Sequence, residues 1–344
     1  ISVTSAEGEH VVVQFDDDGH WIRTWPFAND GRISDMSNPE FLIKDPAGNI
    51  YVGDYGLKSI TKYSSTGVYA NKTLRNNLLV EEKLYVPADV AYNGVDHKLY
   101  VLDGGSETSR INEFNNDGTF SDVIIEGINY APDSFDFGPD GHIYISRDYG
   151  VDVFVLDVDH WDYEYTIGTI YTWGSENGQF ADARDVVFYN SKLYVADLQN
   201  HRVQIFTDTD EDGQYEYSDK ITSNYIEGDP EYGNTTPGQL AKPQGLVINS
   251  TTGKLFVADQ YKLEQFDATT LAWDGTVDFG EGSNYVAPSS LSIDSAGKLY
   301  VSDVDGNHNF VLVYDTSDAD DEDVVLLETL GSFGSGQLQF DWPR

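Results

Sequence analysis

One phrase recurs six times along this chain, and no other feature narrows its fold so far. The clearest copies read PQGLVINSTTGKLFVADQYKLEQFD from Pro243 and PSSLSIDSAGKLYVSDVDGNHNFVLVYD from Pro288. Others are PEFLIKDPAGNIYVGDYGLKSITKYS from Pro39, PADVAYNGVDHKLYVLDGGSETSRINEFN from Pro87 and PDSFDFGPDGHIYISRDYGVDVFVLD from Pro132. The sixth, ARDVVFYNSKLYVADLQNHRVQIFTD, starts at Ala183 without the proline. Each has a short apolar strand, a turn with Gly or Asn, a strand of the form K-L-Y-V-x-D, a loop, a strand ending in Phe or Tyr, and a polar hairpin into a fourth strand. Four strands per repeat make a blade, so the chain is read as all-β, a β-propeller of four-stranded antiparallel blades. The prolines that open the repeats lie 48 (39 to 87), 45 (87 to 132), 45 (243 to 288) and 55 (288 to 343) residues apart, the length of a blade with insertions. A β-helix has shorter coils, and a sandwich does not repeat its sequence.

The ends fall inside a repeat. Residues 1–27 carry F-D-D-D-G-H-W, which matches the hairpin from third to fourth strand, and 332–344 end in G-S-G-Q-L-Q-F-D-W-P-R, which matches the lead-in to a first strand. Joined in one sheet they would make a seventh blade shared between the termini; six blades with an accessory N-terminal segment is the alternative. Either way residues 1–344 form a single propeller domain. Three further tokens, G-Q-L-A-K-P-Q-G-L from Gly238, L-Y-V-A-D-L-Q-N-H-R-V-Q-I-F from Leu193, and the G-x-F and G-x-L lead-ins at Gly178 and Gly336, resemble the NHL-repeat family. Asn200-His201-Arg202-Val203 is the match to the motif that names that family, while Tyr261-Lys262-Leu263 departs from it. The resemblance implies a propeller, commonly of six blades, that often serves as a binding platform.

Twenty basic against 59 acidic side chains leave a formal charge of −39. That field repels nucleic-acid phosphate and anionic membranes and favours cations. Acid spread over a whole surface is also what a saline environment selects for hydration. No run approaches the ~18 apolar residues of a membrane helix, so no membrane insertion is expected. ISVTSAEGEH is neither a signal peptide nor a start, and a mature or excised chain is expected. Without cysteine there is no disulfide, thiol catalysis or zinc–thiolate site. Sequons at Asn71, Asn234 and Asn249 would accept glycans on an exported chain.

The sharpest local motif begins at Asp208. Asp208, Asp210 and Asp212 alternate, Gly213 follows for the sharp turn, Gln214 offers a carbonyl and Asp219 stands at the twelfth position. These are the oxygen ligands of a calcium loop, so a structural Ca2+ is expected there, with a solvated acidic turn as the competing reading. Position twelve is Asp where an EF-hand has Glu, and no flanking helices are evident. Asp157, Asp159 and Asp162 lack the glycine, and the run at 318–323 has charge without the spacing; both are read as solvated edges that deter strand pairing. The Asp closing K-L-Y-V-x-D, at Asp54, Asp103, Asp197, Asp259 and Asp303, with Asp148 as its counterpart in Ser-Arg-Asp, is read as structural, accepting N–H bonds from the next loop. Tyr51, Tyr100, Tyr144, Tyr194, Phe256 and Tyr300 are read as packing between blades.

No catalytic motif is visible. His10, His20, His97, His142, His160, His201 and His308 show no zinc spacing, and there is no G-x-S-x-G or phosphate loop. The primary expectation is a non-enzymatic extracellular or surface-exposed platform for a protein or glycan, contacted through Trp161, Trp173, Trp273, Tyr163-Glu164-Tyr165 and the stretch 225–232. One alternative is a metal-dependent propeller enzyme, a lyase or lactone hydrolase with carboxylates and a histidine at the central channel. Another is a self-assembling subunit of a surface layer, filament or virion appendage.

Overall fold

The computed structural model describes residues 2–5, 11–15, 21–25, 39–54, 58–64, 69–74, 84–104, 109–117, 119–129, 132–210, 212–222, 238–260, 262–277, 288–303, 311–317 and 324–330. A three-stranded sheet comes first, β1 (Ser2–Ser5), β2 (Val11–Phe15) and β3 (Trp21–Trp25). Six four-stranded sheets follow. Sheet I holds β4 (Pro39–Lys44), β5 (Ile50–Asp54), β6 (Ser59–Tyr63) and β7 (Tyr69–Leu74). Sheet II holds β8 (Pro87–Asn93), β9 (Lys98–Asp103), β10 (Ser109–Phe114) and β11 (Phe120–Ile128). Sheet III holds β12 (Ser134–Phe137), β13 (Ile143–Arg147), β14 (Gly150–Asp157) and β15 (His160–Gly168). Sheet IV holds β16 (Ala183–Tyr189), β17 (Lys192–Asp197), β18 (Arg202–Thr207) and β19 (Glu216–Thr222). Sheet V holds β20 (Gly245–Asn249), β21 (Lys254–Asp259), β22 (Lys262–Asp267) and β23 (Trp273–Val277), and sheet VI holds β24 (Pro288–Ile293), β25 (Lys298–Asp303), β26 (Val311–Asp315) and β27 (Val325–Leu330).

The fold is therefore a β-propeller with six four-stranded blades, and no α-helix occurs among the described residues. Six four-stranded blades, the alternative reading, replace the expected seven: among the described residues the N-terminal strands pair only with one another, in a sheet of three. The residues 332–344 expected to complete it lie outside the described ones, as do the stretch 225–232, the run 318–323 and His10, His20 and His308. Contacts divide the chain into two compact units: Ile1–Ile145 with Phe154–Glu164 and Gly334–Arg344, and Ser146–Val153 with Tyr165–Phe333.

The K-L-Y-V-x-D phrase forms the second strand of its sheet and is buried on both faces, which is why it reads as a continuous apolar run rather than an alternating one. Cores lie between successive sheets. In the first unit Tyr51, Ile60, Val90, Val101 and Phe114 join sheets I and II. In the second, Tyr194, Ile205, Leu246, Leu255 and Phe266 join sheets IV and V. Each large ring buries area that stabilises by ~25 cal/mol per Å2. The tyrosine hydroxyls inside these cores are satisfied: Tyr100 donates to Asp96 at 2.5 Å, Tyr144 to Asp140 at 2.6 Å, Tyr300 to Asp294 at 2.9 Å and Tyr194 to the Ala268 carbonyl at 2.5 Å. The turn between first and second strands needs a left-handed residue, and Gly297 supplies it at φ +82 while its N–H donates to the Asp294 carbonyl.

The recurrent aspartate is a latch. Asp103 accepts the N–H groups of Tyr85 (2.7 Å) and Val86 (2.8 Å), Asp197 that of Ala181 (2.9 Å), and Asp259 those of Ala241 and Lys242. These donors lie in the loop entering the sheet, not the loop after the aspartate as expected. The reason is adjacency: the second strand's end lies beside the first strand's start, as in the pairing of Ala183 with Asp197.

Candidate functional site

Sheet III breaks the latch rule. Aligning Tyr144 of β13 with Tyr100 of β9 puts Arg147, not Asp148, at the latch position of Asp103. Asp148 is thus one residue beyond the place expected from the repeat. Arg147 and Asp152 are both buried and ion-paired, and Thr166 Oγ1 donates to the same Asp152 oxygen at 2.5 Å. Burial pushes the Asp152 carboxyl up, opposed by Thr166 and Arg147.

With the latch position taken by a cation, Asp148 enters a different arrangement. Its carbonyl accepts the Asp182 N–H at 2.6 Å, and the two carboxylates bring an oxygen of each within 4.8 Å. Asp182 in turn accepts Arg184 Nη2 at 3.1 Å on Oδ2, while Arg184 Nε lies 2.9 Å from Oδ1 as an ion-pair contact. Burial raises the Asp148 pKa, the Asp182 charge adds to it, and Arg184 and Arg147 oppose it. Two like charges held together beside one guanidinium are a common way to tune a carboxyl for chemistry. Asp182 sits at φ +88 and Tyr171 at φ +59, conformations that cost a non-glycine residue ~1–3 kcal/mol each and cluster at functional sites.

The connection from β15 to β16, residues 169–182, supplies an aromatic border. Tyr149, next to Asp148, is buried and meets Tyr171 edge to face at 6.3 Å. Tyr171 and Trp173 are 58% and 67% exposed, enough bare aromatic surface to stack on a flat apolar ligand face. Arg202 holds this connection from beneath, donating to the carbonyls of Ser175 (2.9 Å), Glu176 (3.0 Å) and Gln179 (2.7 Å). All these groups belong to the second unit.

The same unit carries the motif at Asp208, in the hairpin between β18 and β19. Gly213 turns at φ +89 and donates its N–H to Asp208 Oδ2 at 3.0 Å. Asp208, Asp210 and Glu216 each place a carboxylate oxygen within 4.8 Å of the others. Asp208 Oδ1 is buried and has no hydrogen-bond partner. Asp212 accepts the Gln214 N–H, while Asp219 lies farther along β19, opposite Ile205, and accepts the Lys220 N–H. Among the carboxylates the structure thus gathers Asp208 and Asp210 but not Asp212 or Asp219, and adds Glu216, which the twelve-residue spacing did not single out. Tyr165 Oη accepts the Tyr215 N–H at 3.0 Å and tethers the hairpin to β15.

Other residues singled out in the sequence fall elsewhere. Asp157 and Asp162 cluster with His160 on the exposed β14–β15 hairpin, where Asp159 and Asp162 raise the His160 pKa. Trp273 donates Nε1 to the buried Glu264 at 2.8 Å, packs on Gly238 and stays partly exposed. His201 caps the short turn Leu198–Asn200 and bonds the Ala241 carbonyl.

Over its length the chain is similar to solved propellers. A periplasmic gluconolactonase from Pseudomonas aeruginosa aligns at 13% identity and TM-score 0.64, covering 99% of this chain and 96% of that one. A protein from Lactobacillus plantarum aligns at 12% and 0.68, covering 99% and 97%. Virginiamycin B lyase from Staphylococcus aureus aligns at 13% and 0.56, covering 85% and 83%. At these identities the likeness is one of fold. No protein-family model and no curated protein matches the chain, so the NHL resemblance rests on its motifs. No helix among the described residues is long and apolar enough to cross a membrane.

Proposed function

We propose that this propeller is a divalent-cation-dependent enzyme that opens a sugar-derived lactone, working at Asp148, Asp182 and Arg184. The observation that carries this reading is the one-residue departure of sheet III from its own repeat, which takes Asp148 out of the structural series and sets it beside Asp182. An all-oxygen donor set fits a hard cation, and Asp182 Oδ1, buried and accepting no hydrogen bond, keeps its lone pairs for one. Such a cation supplies Lewis-acid polarisation of a carbonyl. Arg184 stabilises developing negative charge, and Tyr171 and Trp173 orient the ring. In the reaction, water oxygen bonds to the carbonyl carbon, the ring C–O bond breaks, and the proton passes to the ring oxygen, leaving a hydroxy acid. The similarity to a gluconolactonase and a lyase supports the class.

The test is acid release from D-gluconolactone at constant pH above the spontaneous rate, with Mg2+, Ca2+ or Mn2+ and after chelation. Asp148→Asn and Asp182→Asn should each lower kcat/KM by about 100-fold, and Trp173→Ala should raise KM with kcat nearly unchanged. Activity untouched by both carboxamide variants would overturn the assignment. The exposure of Trp173 and Tyr171 also favours a second reading, a glycan platform without turnover; saturable sugar binding with no acid release would select it. In both readings we place the chain outside the cytoplasm, in keeping with its surface acid and the periplasmic neighbour. We further assign a structural Ca2+ to the β18–β19 hairpin through Asp208, Asp210 and Glu216, on the strength of the unpartnered Asp208 Oδ1.

A further inference from the structure

In the first unit a groove of about 690 Å3 opens between the turn ends of sheets II and III, a volume suited to a small organic molecule. One wall is a run of aromatic rings: Tyr100 meets Phe137 edge to face at 4.9 Å, and Phe137 meets Trp161 at 6.3 Å. Asp96, Asp122 and Asp159 line the same space. Its one lysine, Lys98, is already neutralised, with Nζ 2.5 Å from Glu113 Oε1. Asp96 is fixed by the Tyr100 hydroxyl and the Lys98 N–H, so its charge is held in place rather than swinging in solvent.

Three carboxylates, none of them paired with a lysine or arginine among the described residues, disfavour an anion, and an aromatic wall favours an apolar or π-facing body. Cations satisfy both demands when the charge sits on an organic frame, because an ammonium is attracted by ring faces and by carboxylates together. A bare metal ion is a poorer match, since the rings offer it no oxygen ligands. We propose that this groove binds an organic ammonium ion with a short apolar body, its charge met by Asp96, Asp122 and Asp159 and its body by Phe137 and Trp161. The site lies in a different unit from the Asp148–Asp182 pair and does not depend on the lactone reading.

Phenethylammonium is the probe and phenethyl alcohol its neutral counterpart, titrated by calorimetry at pH 8.5, where protonation of His160 beside Asp159 competes least. The ammonium should bind saturably at one site, and the alcohol at least about tenfold more weakly. Trp161→Ala and, separately, Asp122→Asn/Asp159→Asn should each weaken the ammonium about fivefold or more. The second variant changes exposed side chains and leaves the core intact, so it keeps the test open should the Trp161 variant fold poorly. Removing two charges from a chain of formal charge −39 barely alters its long-range field, and a large effect therefore reports a local site. Equal binding of the alcohol, unsaturable uptake of the ammonium, or an unchanged affinity in the Asp122→Asn/Asp159→Asn variant would overturn the proposal.

Discussion

Replacing Asp197 by alanine removes one side chain and strands several partners at once. Asp197 is fully buried and accepts from Ala181 N–H at 2.9 Å, Asn200 Nδ2 at 2.8 Å and Arg202 Nε at 2.8 Å. Burial pushes its carboxyl up and these donors oppose the shift, so the intact pair adds little over an apolar pair of equal shape. Breaking it is another matter. Arg202 is only 4% exposed, and a guanidinium left buried without its carboxylate costs about 3–5 kcal/mol. The orphaned Ala181 N–H adds about 1–3 kcal/mol. Asp197→Ala should therefore cost about 4–8 kcal/mol, a large share of the ~5–15 kcal/mol that holds a domain folded. Urea unfolding should show the midpoint falling without a change in slope, and amide exchange at 175–182 should accelerate, because Arg202 anchors that segment. Adding Arg202→Met removes the stranded charge, so the double variant should be more stable than Asp197→Ala alone. A loss below about 1 kcal/mol, or a double variant destabilised by the sum of the singles, would refute the latch.

Calcium should raise the melting temperature of the unaltered chain, and Asp208→Asn/Glu216→Gln should abolish that rise while Asp219→Asn leaves it; an equal response in both variants would move the ion elsewhere. Asp259 is held up to about 6 by burial, against its ordinary 3.8, so the folded state binds the proton more tightly than the unfolded one. Its contribution to stability is then full below about pH 4, is lost as pH rises to about 6 and amounts to at most about 3 kcal/mol. Melting scans from pH 4 to 7 should show this loss, and Asp259→Asn should flatten it; the same slope in both chains would disprove the assignment. Arg147→Ala strands Asp152 and should cost about 3–5 kcal/mol, with Asp152→Asn restoring much of it in chemical denaturation. No recovery would mean that Arg147 acts through packing instead.

The blades were legible because their physics repeats. A strand covered on both faces must be apolar throughout, so K-L-Y-V-x-D stands out wherever it occurs, and Tyr100 or Tyr194 could be placed between sheets from position alone. The latch aspartate was legible as an acceptor, but its donors were not, since that depends on which loop the sheet brings alongside. No pattern in the chain pointed to Asp182, Tyr171 or Arg184. They sit in or next to the connection from β15 to β16, whose lead-in matches the one at Gly238 except that Lys242 and Gln244 stand where this one has Asp182 and Arg184, and the left-handed backbone of Asp182 leaves no trace in composition. Glu216 escaped because the helix-flanked calcium loop closes at its twelfth residue, whereas a β-hairpin turns back sooner and brings its ninth residue to the first. The blade number turned on residues at the chain ends, where half a repeat in sequence does not say which strands it pairs with.

The single-residue offset at Ser146-Arg147-Asp148 also bears on how such a chain can be engineered. A row of matching modules shows a ligand the same surface again and again, and cannot tell one end of an asymmetric molecule from the other. Sliding one acid a single step past its usual post, while a cation stands in and finds a new counterion in Asp152, makes one module unlike its siblings without disturbing the strands around it. Leu-Tyr-Val-Ala-Asp in sheet IV, rewritten as Leu-Tyr-Val-Ala-Arg-Asp by inserting an arginine before the acid, with an acid five positions after that arginine, is the corresponding recipe for placing a second such site elsewhere in the same scaffold.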